Sequence, residues 1–168
     1  MPAPEELSGA LIECLRDVSA LLEHGHSVAL RQRDALTQSD AEAIAMTCAS
    51  QDEILRRIAQ ADERAAAIAA GIAEASGLDA DEADTESITQ AAGAPHAQQI
   101  TRELAHISEL ARRVRDANEI NSRLLHNGLD VITSCLRIVA SEPEPTVYSK
   151  GASFAGSGTV VLSLDSRV

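Results

Sequence analysis

The sequence predicts an all-α protein: an antiparallel bundle of three long helices with coiled-coil-like packing and a flexible C-terminal tail. Three observations lead there. Between His96 and Ala140 the residues Ile100, Leu104, Ile107, Ala111, Val114, Asn118, Asn121, Leu125, Gly128, Ile132, Cys135 and Val139 alternate in steps of four and three, the heptad seam of a helix packed on other helices. No proline interrupts that stretch, while Pro95 precedes it and Pro143 follows it, as expected at helix boundaries. The chain is 45% hydrophobic but only 1% aromatic, so its core must be built from Ala, Leu, Ile and Val, a composition that suits helices better than sheets.

The first helix is expected over about residues 5–36. Leu7, Leu11, Cys14, Val18, Leu21, Gly25, Val28 and Ala35 repeat the four–three spacing with one polar gap, and Glu5 and Glu6 occupy the first turn, where the helix dipole favours acids. Gly25 marks a close contact or a bend. A second helix, about 40–76, is expected to open on Ser39-Asp40-Ala41-Glu42, which reads as a capping box, and to run through Ile44, Cys48, Leu55, Ile58, Ala65, Ile68 and Ile72 to a glycine cap at Gly77. The short connection makes these two helices an antiparallel hairpin. Residues 78–95 carry Asp79, Asp81, Glu82, Asp84 and Glu86 with no basic residue; they read as a solvated acidic connector with a short helical turn from Asp84 to Ala91. The third long helix, about 96–140, would run roughly 65 Å at 1.5 Å per residue. Its seam residues Leu104, Ile107, Val114, Leu125 and Ile132 are expected to be buried against the first two helices. Residues 1–140 thus form the helical domain. After Ala140, Ser141-Glu142-Pro143-Glu144-Pro145 forbids a helix, and the Gly- and Ser-rich remainder still holds Val147, Tyr148, Phe154 and the run Val160–Leu164. Spaced apolar anchors on such a backbone are the mark of a segment that folds onto a partner, so 141–168 is expected to be a flexible partner-binding tail.

The net charge of −12 and the pI near 4.7 argue against nucleic acid, whose phosphates require clustered Lys and Arg, and against an anionic membrane surface. No apolar run reaches the roughly 20 residues that span a bilayer, and no signal peptide is evident, so a cytoplasmic protein without membrane insertion is expected. Cys14, Cys48 and Cys135 fall at apolar helical positions with wide spacing and read as plain buried thiols rather than a disulfide framework or a zinc site.

No catalytic or cofactor constellation emerges. His24 and His26 are two apart and face different ways, while His96, His106 and His126 lack ligand-like spacing. A phosphotransfer histidine would be followed shortly by Lys-Gly, but His126 is followed by Asn127 and Gly128. Asp79–Asp84 fails as a calcium loop because Ala83 stands fifth and no glycine stands sixth. Gly151–Gly158 lacks the lysine of a phosphate loop. The expectation is a protein that is not an enzyme and holds no cofactor or metal.

The informative polar residues are Asn118 and Asn121, both on the seam of the last long helix. A seam asparagine fixes register and partner at a cost in stability. The run Asn118-Glu119-Ile120-Asn121-Ser122-Arg123-Leu124-Leu125 resembles the N-x-x-N-x-x-L-L pattern of FlgN-type flagellar export chaperones, with Asn118, Asn121, Leu124 and Leu125 as the matching positions. The tail element Val147-Tyr148-Ser149-Lys150-Gly151 is similar to the short tyrosine-containing element of that family. The resemblance implies a cytosolic, non-enzymatic chaperone that binds the hook–filament junction proteins, keeps them unassembled and export-competent, and brings them to the type III export gate. It also implies that Val147, Tyr148, Gly151 and Phe154 belong to a partner-binding tail, with Tyr148 docking on the cytoplasmic domain of the export gate. The alternatives are a coiled-coil structural or adaptor protein that forms homo-oligomers through its seams, and a histidine phosphotransfer bundle.

Overall fold

The computed structural model describes residues 4–79 and 83–140. Four helices account for nearly all of them: α1 Pro4–Gln38, α2 Ala41–Ala75, α3 Thr85–Ala91 and α4 Ala94–Ala140. No strand occurs among the described residues. The chain divides into two units, 1–132 and 133–168. The second is described only over the final turns of α4, where every residue from 133 to 140 is exposed. The tail, with Val147, Tyr148, Gly151 and Phe154, lies outside the described residues, as do the acidic-connector residues 80–82.

The α1–α2 turn departs from the expected capping box. Asp40, not Ser39, is the N-cap of α2, and its carboxylate accepts from the Ala43 amide at 3.0 Å. Ser39 instead takes the left-handed conformation, φ 56°, that ends α1. The Ser39 amide donates back to the Leu36 carbonyl at 3.2 Å and the Asp40 amide to Ala35 at 3.0 Å, which satisfies carbonyls a helix end would leave open. A residue that closes one helix this way cannot also supply the extended backbone that an N-cap needs. Gly77 terminates α2 with φ 72°, a conformation that a Cβ disfavours, and the Leu78 amide donates to Ala73 at 2.9 Å. Asp84 caps α3, its carboxylate accepting from the Ser87 amide at 2.8 Å and from the Ser87 hydroxyl. Pro95 falls inside the first turn of α4, where its missing N–H is no loss.

Side-chain pairs show that α1 and α2 run antiparallel. Leu7 lies against Gly71, the Cys14 thiol donates to the Ala61 carbonyl at 3.1 Å, Asp17 pairs with Arg64 at 3.7 Å, and Gln32 bonds Gln51 at 3.1 Å. α4 follows α1 in the same direction: Glu103 meets Arg16 at 3.1 Å, His106 meets Glu23 at 3.8 Å, and Asn121 meets Ala29 at 2.8 Å. Two clusters form the core. The larger joins Leu11, Ile12 and Leu15 of α1 to Ile72, Ala92 and Ile100, with Leu104, Ile107, Ile68 and Ile88 packed on it. The smaller holds Leu21, Val28 and Ile54, flanked by Ile58.

α4 does not bury the expected seam along its whole length. Its buried residues are Ile100, Leu110, Ala117 and Asn121. Leu104, Ile107 and Val114 are half-buried, whereas Leu125 and Ile132 are 43% and 57% exposed. At 3.6 residues per turn, Leu110 and Ala117 sit roughly 80–100° around the helix from Ile100. The buried face therefore turns toward α1 along the second half of α4, and the row holding Asn118 and Leu125 swings toward α2, where packing is open. Ile132 is exposed for a further reason. α1 ends at Gln38, six residues past Gln32, whereas Ile132 lies eleven residues past Asn121, Gln32's partner. Of the three cysteines only Cys14 is buried; Cys48 and Cys135 are exposed, contrary to expectation. Burial pushes the Cys14 thiol above its usual titration range, as an apolar setting disfavours the thiolate.

Candidate functional site

The turn of α4 toward α1 leaves a groove of about 380 Å³ between α1, α2 and the middle of α4. Gly25 gives it room on the α1 side. A side chain there would meet Ile54 and Val114 at ordinary packing distance, so glycine leaves space that any larger residue would take. Leu21, Ile54, Ile58 and Val114 form aliphatic walls, and the exposed Leu55 and Leu125 stand on opposite banks.

A chain of amides bounds one end. Asn121 is 2% exposed. Its Nδ2 donates to the Ala29 carbonyl at 2.8 Å and to Gln32 Oε1 at 2.9 Å. Gln32 and Gln51 bond each other reciprocally at 3.1 and 3.2 Å, and Gln32 Nε2 also reaches Cys48 Sγ at 3.4 Å. Gln51 Nε2 extends to Asn118 Oδ1 at 3.4 Å. The relay ties all three long helices together, which fits a buried amide network that fixes helix register. Asn121 Oδ1 is buried without a partner among the described residues.

The four positions singled out on α4 thus separate. Asn118 is exposed and turned to α2; Asn121 is buried on α1; Leu124 is half-buried; Leu125 is on the groove rim. The structure brings Asn118 and Asn121 into one network but places Leu124 outside the groove lining. Sequence reasoning passed over Gln32 and Gln51. The signal for Gln32 was the single polar gap in the α1 stripe, between Val28 and Ala35, where it falls. Among the described residues no cluster of His, Cys, Asp or Glu could hold a metal ion, and no helix is long and apolar enough to cross a membrane.

Comparison with protein families matches residues 1–154 to the FlgN protein family. The chain belongs to the FlgN family. The match spans all four helices and continues through tail residues 141–154. FlgN proteins are flagellar export chaperones, so the family gives the chain a role in flagellar protein export. Neither curated proteins nor solved structures give a significant match.

The family assignment gives the exposed part of α4 an interest of its own. Ile120, Leu125, Leu129, Val131 and Ile132 are exposed in the first unit. The described end of the second unit exposes Leu136, Ile138 and Val139.

Proposed function

We propose that this FlgN-family chain is a cytoplasmic, non-enzymatic chaperone that binds the hook–filament junction proteins, holds them unassembled and export-competent, and delivers them to the export gate. The observation that carries this reading is the family match over residues 1–154. Subunits awaiting export bear amphipathic terminal helices that would otherwise assemble, and exposed aliphatic side chains on a long helix are suited to cover them. In this reading residues 1–140 are an antiparallel bundle of three long helices with coiled-coil-like packing, and 141–168 is a flexible tail. Val147, Tyr148, Gly151 and Phe154 act as its partner-binding residues. Tyr148 anchors gate docking, because a tyrosine offers a large contact area with few torsions to fix.

The exposed heptad positions Leu125 and Ile132 favour one other reading, a coiled-coil adaptor that pairs with itself. Affinity capture from cytosol followed by mass spectrometry separates the two. The chaperone recovers a junction protein at fixed stoichiometry; the adaptor recovers chiefly its own copies. Titrating the cytoplasmic domain of the gate against the chaperone–client complex tests the tail: Tyr148→Ala should weaken binding by about 2 kcal/mol or more, and equal affinities would remove Tyr148 from docking.

A further inference from the structure

The groove beside Gly25 has one charged side chain in its described lining, and it is an acid. Asp52 lines it, is exposed and has no ion-pair partner among the described residues. Asn121 also lines it, and its Oδ1 has no partner. Both groups are acceptors. The Asn121 amide cannot turn over to cure this, because its Nδ2 already faces two acceptors on α1. A groove with aliphatic walls and an unpaired carboxylate, Asp52, as the one charged residue in its described lining suits an occupant that is apolar on one side and carries a cation at the edge of that side.

We propose that this groove seats an amphipathic helix of the exported client, with aliphatic side chains over Gly25 and between Leu55 and Leu125, and a Lys or Arg directed at Asp52. The assignment rests on the chaperone reading and adds to it a place and a polarity. The charge distribution agrees. Residues 1–93 hold 18 acidic and 6 basic side chains, whereas 94–140 hold 5 and 6. A basic edge is therefore drawn to the α1–α2 bank rather than to α4.

The experiment titrates a purified junction protein into the full chain and into Gly25→Leu, Leu55→Gln and Asp52→Asn, by calorimetry at two salt concentrations, with thermal midpoints in parallel. Gly25→Leu fills the groove. It should keep or raise the midpoint, since leucine is the better helix former, and lose at least tenfold in affinity. Leu55→Gln changes a residue that is 63% exposed, where substitutions have little effect on stability, and should lose several-fold even if Gly25→Leu folds poorly. Asp52→Asn should lose a few-fold and flatten the salt dependence, because the screened attraction is gone. Wild-type affinity in Leu55→Gln and Asp52→Asn would overturn the assignment and leave the chaperone reading standing. No binding by the wild-type chain would overturn the chaperone reading, and the assignment with it. A wild-type dimer that Gly25→Leu dissociates without change in client affinity would give the groove to a second copy and overturn it as well.

Discussion

Replacing Asn121 by aspartate exchanges one NH₂ group for an oxygen of nearly the same size, and the structure makes that exchange severe. Asn121 Nδ2 faces two acceptors, the Ala29 carbonyl at 2.8 Å and Gln32 Oε1 at 2.9 Å, on a side chain that is 2% exposed. Two net hydrogen bonds of about 1 kcal/mol each are lost. An acceptor now faces acceptors, and a carboxylate is buried without a counter-charge, which costs several kcal/mol more. Asn121→Asp should therefore destabilise the chain by about 4 kcal/mol or more at pH 7. Asn121→Leu should cost far less, since Gln32 Oε1 keeps its bond from Gln51 and Ala29 keeps its place in the α1 ladder. The pH dependence has a definite sign. Burial without a partner raises the folded pKa of the introduced carboxyl above its unfolded value of about 3.9. The folded state then binds the extra proton, so the penalty is smallest below pH 3.9, grows as pH rises toward the folded pKa, and is constant above it. Urea melts followed by circular dichroism between pH 4 and 8 provide the measurement. An Asn121→Asp protein within about 1 kcal/mol of wild type at every pH would refute the packing of α4 on α1 in this register.

Three further outcomes are expected. Ile100→Ala, in the larger core cluster and 2% exposed, should cost about 2–5 kcal/mol in a urea melt, whereas Leu125→Ala should cost no more than about 1 kcal/mol, as a half-exposed rim residue leaves no cavity. The Ser87 hydroxyl and amide hold the Asp84 carboxyl below its usual range, so the α3 cap is fully formed above the unfolded carboxylate value and is lost as pH falls through the lowered one; hydrogen exchange at the Ser87 amide should show protection vanishing in acid. Ser39→Gly relieves the left-handed backbone at φ 56° and should raise the thermal midpoint, with a gain of about 0.5–1 kcal/mol in stability.

The long helices were legible in the sequence because their apolar spacing extends over 35 or more residues without a proline in their interiors, and the family was legible in Asn118–Leu125. What could not be read was which way α4 would lean. α4 offers two adjacent rows, one on its seam through Leu104, Ala111, Asn118 and Leu125 and another beside it through Leu110, Ala117 and Leu124. Both contain apolar residues, so periodicity alone leaves the choice to the neighbouring helices. α1 decides it by presenting the Ala29 carbonyl and Gln32, which draw Asn121 inward. Leu125 is then carried to the rim. The cap at Ser39 was missed for a comparable reason: the motif for starting α2 overlapped the residue needed to stop α1, and a one-residue shift to Asp40 resolved the conflict.

The amide relay also accounts for how the groove stays open. The smaller core cluster has only Leu21, Val28 and Ile54 buried among the described residues, and none of them is on α4. An aliphatic residue at position 121 would draw α4 inward through non-directional burial, with nothing to favour α1 over α2. Hydrogen bonds are directional. Asn121 holds α4 on α1 through two bonds under 3 Å, while the Asn118–Gln51 bond to α2 is longer, 3.4 Å. Register is thus fixed on one side and packing left incomplete on the other. The same asymmetry explains why an asparagine pair three residues apart, with one member buried and one exposed, is suited to this place: the exposed Asn118 limits how far α4 can swing from α2, and the buried Asn121 keeps it from leaving α1 to close on α2.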